Sequence, residues 1–302
     1  MINQKKAYIF ALMAVLCWST VATAFKIALQ NCSFLQLLFF SSLVSAIVLY
    51  LILIIQKKTS QLIKIERRTM IYSLTLGVLN PFLYYTILFK AYSILPAQEA
   101  MTLNYTWPIM LVLLSIPLLK QKLTIKSLIA VFVSFAGIII ISTKGNIVSI
   151  NLSNFFGDIL AVGSSIIWAL FWIYNVRDKK DEVIKLFLNF LSGAILSGVL
   201  MLLFSDFNTL KIEALPAIIY VGILEMSVTF VFWLLALKYT ASTDKVSQLI
   251  FLSPFLSLIF IHLIVKESIA IYTLAGLFFI IGGIVIQQSS FNFSRKSKDS
   301  GI

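Results

Sequence analysis

The chain has 302 residues, 60% of them hydrophobic and only 12% charged, with a formal net charge of +12 and a mean hydropathy of +0.99. Soluble globular chains carry about 45–50% apolar and about 25% charged residues, so this one has too little polar surface to cover a water-soluble body. Lipid must cover most of it, which excludes the soluble fold classes.

Along the chain, ten apolar runs are long enough as helices to cross a hydrocarbon core, which needs roughly 20 residues. They are Ala7–Leu29, Phe34–Ile55, Thr69–Phe89, Ala97–Leu119, Ile125–Ser142, Phe156–Asn175, Val183–Phe204, Ala214–Leu237, Val246–Val265 and Ile269–Gln287. Several are rich in Ile, Val and Phe and resemble buried strands locally. A backbone inside lipid must satisfy its own amides, which selects helices. The expected fold class is therefore an all-α integral membrane protein.

The distribution of charge is more informative than its total. With the N-terminus in the cytoplasm, all but five of the 24 Lys and Arg fall in cytoplasmic segments. Those five, Lys26, Lys90, Lys144, Lys211 and Lys266, are spread one to each outer connection. That is the positive-inside pattern, and it places both termini in the cytoplasm. The basic balance then reports topology and not a nucleic-acid partner. Lys5 and Lys6 followed by an apolar run and Ala22-Thr23-Ala24 resemble a secretory leader. The run is long for a leader, and the internal repeat described next needs it as its first helix. Cys17 and Cys32 form no disulfide framework.

The second half of the chain echoes the first. YTWPIMLVLLSIPLLKQKL from Tyr105 parallels LSPFLSLIFIHLIVKESI from Leu252, and Pro108, Lys120 and Gly137 match Pro254, Lys266 and Gly283 at an offset of 146. Tyr92 matches Tyr239 at 147, and Trp18 pairs with Trp168 at 150. Each unit holds five spans, and an odd number inverts the second relative to the first. Inverted repeats of this kind build transporters with a substrate site near the midplane between the halves. The units are expected at 1–145 and 156–290, followed by a disordered cytoplasmic tail at 291–302.

The two five-span halves, LCWSTVATAFKIAL in the first span, FWLLALKYTAS…LSPFLSLIF and the glycine-bearing fifth and tenth spans resemble the EamA family of the drug/metabolite transporter superfamily. Within it, EAMTLNYTWP at 99–108 is similar to the fourth-span motif of bacterial aromatic amino-acid exporters. The resemblance implies a central cavity lined from both halves and opening alternately to either side, with Tyr105 and Trp107 on its wall. Gln121 departs from the acidic residue many members carry there, whereas Glu267 keeps it at the matching end of the ninth span.

Polar and aromatic residues inside the spans are the site candidates. An ionised acid at the bilayer centre costs about 2.5–3.5 kcal/mol on insertion scales. Mid-span Glu225 must therefore face the interior as a proton-coupling or amine-binding acid, or stand as a protonated structural one. Glu99, in the first turn of the fourth span, is a second coupling candidate or a wetted capping acid favoured by the helix dipole. Asp158 opens the sixth span as a cap. His262, the single histidine, reads as structural, and Lys26 and Lys90 sit near helix ends and can snorkel. Trp168 and Trp172, spaced i and i+4, share one helix face. With Tyr84, Tyr85, Tyr105, Trp107 and Trp233 they form either an aromatic cavity for a flat or cationic substrate or ordinary packing. Asn104 fixes a polar substrate group or bridges helices. Pro108 and Pro254 interrupt matched helices and are candidate hinges.

No Walker loop, HExxH, CxxC or paired-aspartate motif occurs, so no metal or cofactor and no enzymatic chemistry are expected. The sequence reads as a secondary transporter of the bacterial inner membrane, moving an amino acid or related zwitterion or cation by alternating access, as an exporter. Its expected partners are that solute, the lipid bilayer and a coupling proton; no oligomeric state is implied. A lipid flippase, or a channel or scaffold without a carrier cycle, is the alternative.

Overall fold

A computed structural model describes residues 2–119, 125–146, 152–175, 180–240, 246 and 248–299. In chain order its apolar helices are α1 Gln4–Leu29, α2 Phe34–Ile55, α3 Arg67–Ile94, α4 Ala97–Leu118, α5 Leu128–Ser142, α6 Asn154–Asn175, α7 Glu182–Phe204, α8 Ile212–Tyr239, α9 Leu249–Val265 and α10 Ile271–Ile286. Seven are long and apolar enough to cross a membrane; α5, α9 and α10 are shorter. A helical turn, Thr59–Ile63, lies between α2 and α3, and the helix of α10 continues to Asp299. It therefore runs on through part of the predicted tail, whose last three residues lie outside the described set. Of the Lys and Arg counted as cytoplasmic, Lys120, Lys122, Arg177, Lys179 and Lys245 also lie outside it.

Local chemistry starts several of these helices. The Asn3 side chain accepts from the Lys6 amide at 3.0 Å, and Asp181 accepts from that of Val183 at 3.1 Å. Ser33 and Gln36 form a capping box at the head of α2, each side chain binding the other's backbone amide. Side-chain polarity is inverted relative to a soluble protein. Ser19, Ser41, Ser45, Asn189 and Ser197 are fully buried, while Leu16, Ile47, Phe132, Leu202 and Phe278 are exposed. Apolar atoms on the outside and hydroxyls inside are the arrangement a lipid solvent favours.

Helix packing follows a paired rule. α2 packs on α7 and α5 on α10; α1 packs on α8 and α9, as α6 packs on α3 and α4. Exchanging the first five helices for the last five leaves this set of neighbours unchanged. The α5–α10 crossing is closest at glycine: a Cβ on Gly137 would stand 2.6 Å from the Gly276 carbonyl, and one on Gly276 2.8 Å from that of Gly137. A Cβ on Gly283 would meet the Ala130 carbonyl at 2.6 Å. Small residues here let two backbones touch where lipid offers no hydrophobic force to join them.

Hydrogen bonds identify the two ends of the bundle. At one end, the Lys211 amide donates to the Asn31 carbonyl at 2.9 Å. Lys26 folds back to donate to the carbonyls of Tyr92 (3.2 Å) and Leu95 (2.8 Å). It satisfies orphan carbonyls there and does not snorkel outward. Across the same end, Glu267 accepts from the amides of Ala97 (3.0 Å) and Gln98 (3.4 Å). Gln98 in turn donates to the Ser268 carbonyl (2.8 Å) and accepts from the Ala270 amide (2.9 Å). At the other end, Lys58 pairs with Asp181 at 2.6 Å, and the Asn3 amide donates to the Tyr239 carbonyl at 2.9 Å.

Two measurements test this account. Gly137→Val drives a side chain into the α10 backbone and should lower the thermal unfolding midpoint, with an overpacking cost of about 1–3 kcal/mol. Glu267→Ala strips the first turn of α4 of its acceptor and should destabilise by about 1 kcal/mol, a typical loss for a helix cap. A midpoint unchanged in either variant would contradict the corresponding contact.

Candidate functional site: a cavity between broken helices

Four helices that wall the bundle centre are interrupted, each near its middle or its first turn. In α3 the helix kinks within Val78–Leu83, where Asn80 takes an extended conformation (φ −142°, ψ 120°) before a cis Asn80–Pro81 peptide. α8 carries a π-helical stretch at Val221–Val228. α4 breaks after Asn104 and restarts at Trp107, and α9 opens with a 3-10 turn, Gln248–Phe251, ahead of Leu252–Phe260. A wide turn leaves carbonyls without their usual partner, and α2 supplies a donor in Ser45, to the Met226 carbonyl at 2.7 Å; Ser41 donates to the Ile218 carbonyl, ahead of the wide stretch, at 3.1 Å. Tyr105, at the α4 break, donates to the Ile250 carbonyl in the α9 turn at 3.0 Å. Pro108 and Pro254 thus stand in the first turn of restarting helices, where a missing N–H costs nothing. The interruption precedes each proline and is not a kink at it.

These interruptions surround one cavity of about 570 Å³. Glu225 projects into it from the π-helical stretch of α8, 7% exposed. Its Oε1 accepts from the Tyr85 hydroxyl at 2.9 Å, and its Oε2 has no protein partner. Other polar groups of the wall are engaged by the protein. Tyr84 donates to Asn104 Oδ1 at 3.2 Å, and Asn104 Nδ2 donates to the Ser164 hydroxyl at 2.9 Å. Aromatic rings complete the surface. Tyr84 and Trp168 lie 4.6 Å apart by centroid at 35°, Trp168 and Trp172 5.9 Å apart, and Trp18 and Trp233 5.4 Å apart.

The structure gathers most of the sequence candidates at this cavity. Tyr84, Asn104, Tyr105, Trp107, Pro108, Trp168, Trp172, Glu225 and Trp233 all line it. Tyr85 does not: it is fully buried one layer behind, where it holds Glu225. Pro254 is buried and off the wall. Glu99 lies apart from the cavity. It is 2% exposed and accepts from the Tyr272 hydroxyl at 2.9 Å, so it is not a wetted cap, and Glu267 caps that helix instead. Asp158 also fails as a cap. Its helix begins before it, at Leu152, and Asp158 is 4% exposed with Oδ1 unpartnered. His262 is exposed, with Nδ1 3.0 Å from the Glu267 carbonyl. Lys90 lies over the Phe34 ring at 5.3 Å. Among the described residues no cluster of His, Cys, Asp and Glu could hold a metal ion.

Sequence reasoning missed Trp18, Phe25, Tyr92 and Ser253, which share the lining. Trp18 was recoverable: it is the repeat counterpart of Trp168. The lining draws on α1, α3 and α4 from the first half and on α6, α8 and α9 from the second. The cavity stops short of the end sealed by Glu267, Gln98 and Lys26. In the other direction it reaches Ser115 and Ile173, close to the far ends of α4 and α6.

Known proteins bear on this arrangement. An uncharacterized transporter of Clostridium kluyveri is 24% identical over 305 residues, covering 98% of this chain and 96% of that protein. The uncharacterized transporter YoaV of Bacillus subtilis is 24% identical over 298 residues, covering 96% and 99%. One crystal structure superposes with a TM-score of 0.64 over 94% of this chain and 97% of that one, at 19% identity, a likeness of fold. The model of the EamA-like transporter family matches residues 5–143 and again 155–287. With nearly the whole length accounted for by those two matches, the chain is a multi-pass membrane protein of the EamA-like transporter family.

Proposed function

We propose that the protein is a secondary transporter that carries a small organic metabolite, an amino acid or related zwitterion or cation, through the central cavity by alternating access. The observation that carries this reading is a cavity walled by broken helices from both halves and sealed at one end by hydrogen bonds that run between the halves. Matching of the family model to each half, and the exchange symmetry of the helix neighbours, support two five-helix repeats of ten spans. On the charge pattern of the sequence, the sealed end is the outer one and both termini are cytoplasmic. The cavity then faces inward, as an exporter at a bacterial inner membrane requires when it loads. Flippases need a lateral path for a lipid tail; the polar atoms here converge instead on an interior chamber. A coupling proton would be carried by Glu225, the one carboxylate on the wall.

In proteoliposomes, unlabelled amino acid or amine on one side should drive uptake of labelled solute from the other, because a carrier exchanges bound solute across the membrane. Uptake that merely follows the labelled gradient would identify a channel. Glu225→Gln should lower transport driven by a pH gradient about tenfold or more, corresponding to loss of a charge-assisted contact of ~1.5 kcal/mol. Full pH-driven transport by that variant would remove Glu225 from coupling.

A further inference from the structure

Every group that lines the cavity can be assigned a charge. Among the described lining residues Glu225 is the sole carboxylate, and no Lys, Arg or His joins it. Basic residues close by are engaged elsewhere: Lys26, at the sealed end, has its Nζ on the carbonyls of Tyr92 and Leu95. The groups facing Glu225 are hydroxyls and rings. Tyr85 and Tyr84 come from α3, Tyr105 from the α4 break, and Trp168 from α6. Tyr84, Asn104 and Tyr105 have already committed hydroxyl or amide groups to one another, to Ser164 or to backbone. Glu225 adds a carboxylate oxygen, Oε2, that is buried at the cavity wall without a protein partner.

That environment sorts solutes by charge. A cationic head placed at Oε2 supplies the missing partner and sits beside ring faces whose quadrupoles are negative. A solute carboxylate would enter a chamber that offers no countercharge, beside an acid whose ionised form repels it; burying an unpaired ion is strongly unfavourable. A zwitterion meets both conditions at once and keeps only part of the gain.

We infer that the cavity selects organic monocations, compounds with one ammonium group on a flat apolar body, over zwitterions and anions of the same shape, with Glu225 as the group that sets this preference. The inference rests on the carrier reading for the site's location and narrows its substrate class. The wide turn that presents Glu225 is braced from α2, where Ser45 donates to its Met226 carbonyl.

Tryptamine, tryptophan and indole-3-propionate share one ring system and differ in charge, so they make a matched series. Titration calorimetry on the full-length protein in nanodiscs should give tryptamine about tenfold tighter binding than tryptophan, with indole-3-propionate weaker still, a margin one desolvated charge contact provides. Glu225→Gln should flatten the series and Glu225→Asp should restore part of it. The wild-type ranking alone decides the sign, so the test does not depend on either variant folding. Tryptophan or the propionate binding as tightly as tryptamine would overturn the inference, and so would no binding by any of the three or a Glu225→Gln protein that keeps the tryptamine preference. Counterflow separates this from the carrier reading. Exchange of tryptophan without tryptamine leaves a carrier and removes the cation site. Glu225-dependent tryptamine binding without exchange keeps the site and removes the carrier.

Discussion

A backbone dissolved in lipid has to bond to itself, and the centre of this protein is where that requirement is relaxed. Interrupting a helix releases carbonyls that have no water to turn to, each at a cost of several kcal/mol if unmet. Here the released groups find donors inside the protein. Ser45 of α2 serves the wide turn of α8, and the Tyr105 hydroxyl serves the turn that opens α9. The interruptions can therefore exist only where other helices enclose them, and that is at the cavity. A regular α8 would need no help from α2 and would turn its side chains to different directions, Glu225 among them.

The same economy of polar groups gives the cavity its chemical character. Tyr84 and Asn104 are occupied within the protein, the rings supply area and negative faces, and one carboxylate oxygen has no protein partner. Tyr85 matters here although it never reaches the cavity. By holding Oε1 it leaves Oε2 as the oxygen of Glu225 without a protein partner. The pairing of α1 with α8 and of α6 with α3 interleaves helices of the two halves around the cavity, so no single half could form the site.

Much of this was legible in the residues. Hydropathy located the helices because lipid imposes length and apolarity together, and the repeat pointed to a shared midplane site. Aromatic candidates came through because large rings inside short polar motifs have few other uses. What escaped had physical reasons. Tyr84 and Tyr85 are neighbours in sequence, about 100° apart on a regular helix. A kink at the extended Asn80 just before them resets that phase, so position alone could not say which one faces the cavity. Glu99 looked like the cap of its own helix by proximity, whereas the acceptor comes from Glu267 in the other half. Such a substitution of one acid for another is a tertiary fact with no local signature. Asp158 misled for a simpler reason: its helix begins earlier than the apolar run does.

The borrowed cap on α4 has a consequence of its own. A helix normally carries its cap along with it, so its amides remain satisfied however it moves. Here the first amides of α4 depend on an acid at the far end of α9, and Gln98 depends on the backbone beyond it. Parting the two halves at that end would bare polar groups on both faces at the same instant. Water is the natural replacement partner for them, so opening and wetting of that end are bound into a single event. A dry opening is disfavoured, and so is a wet closure.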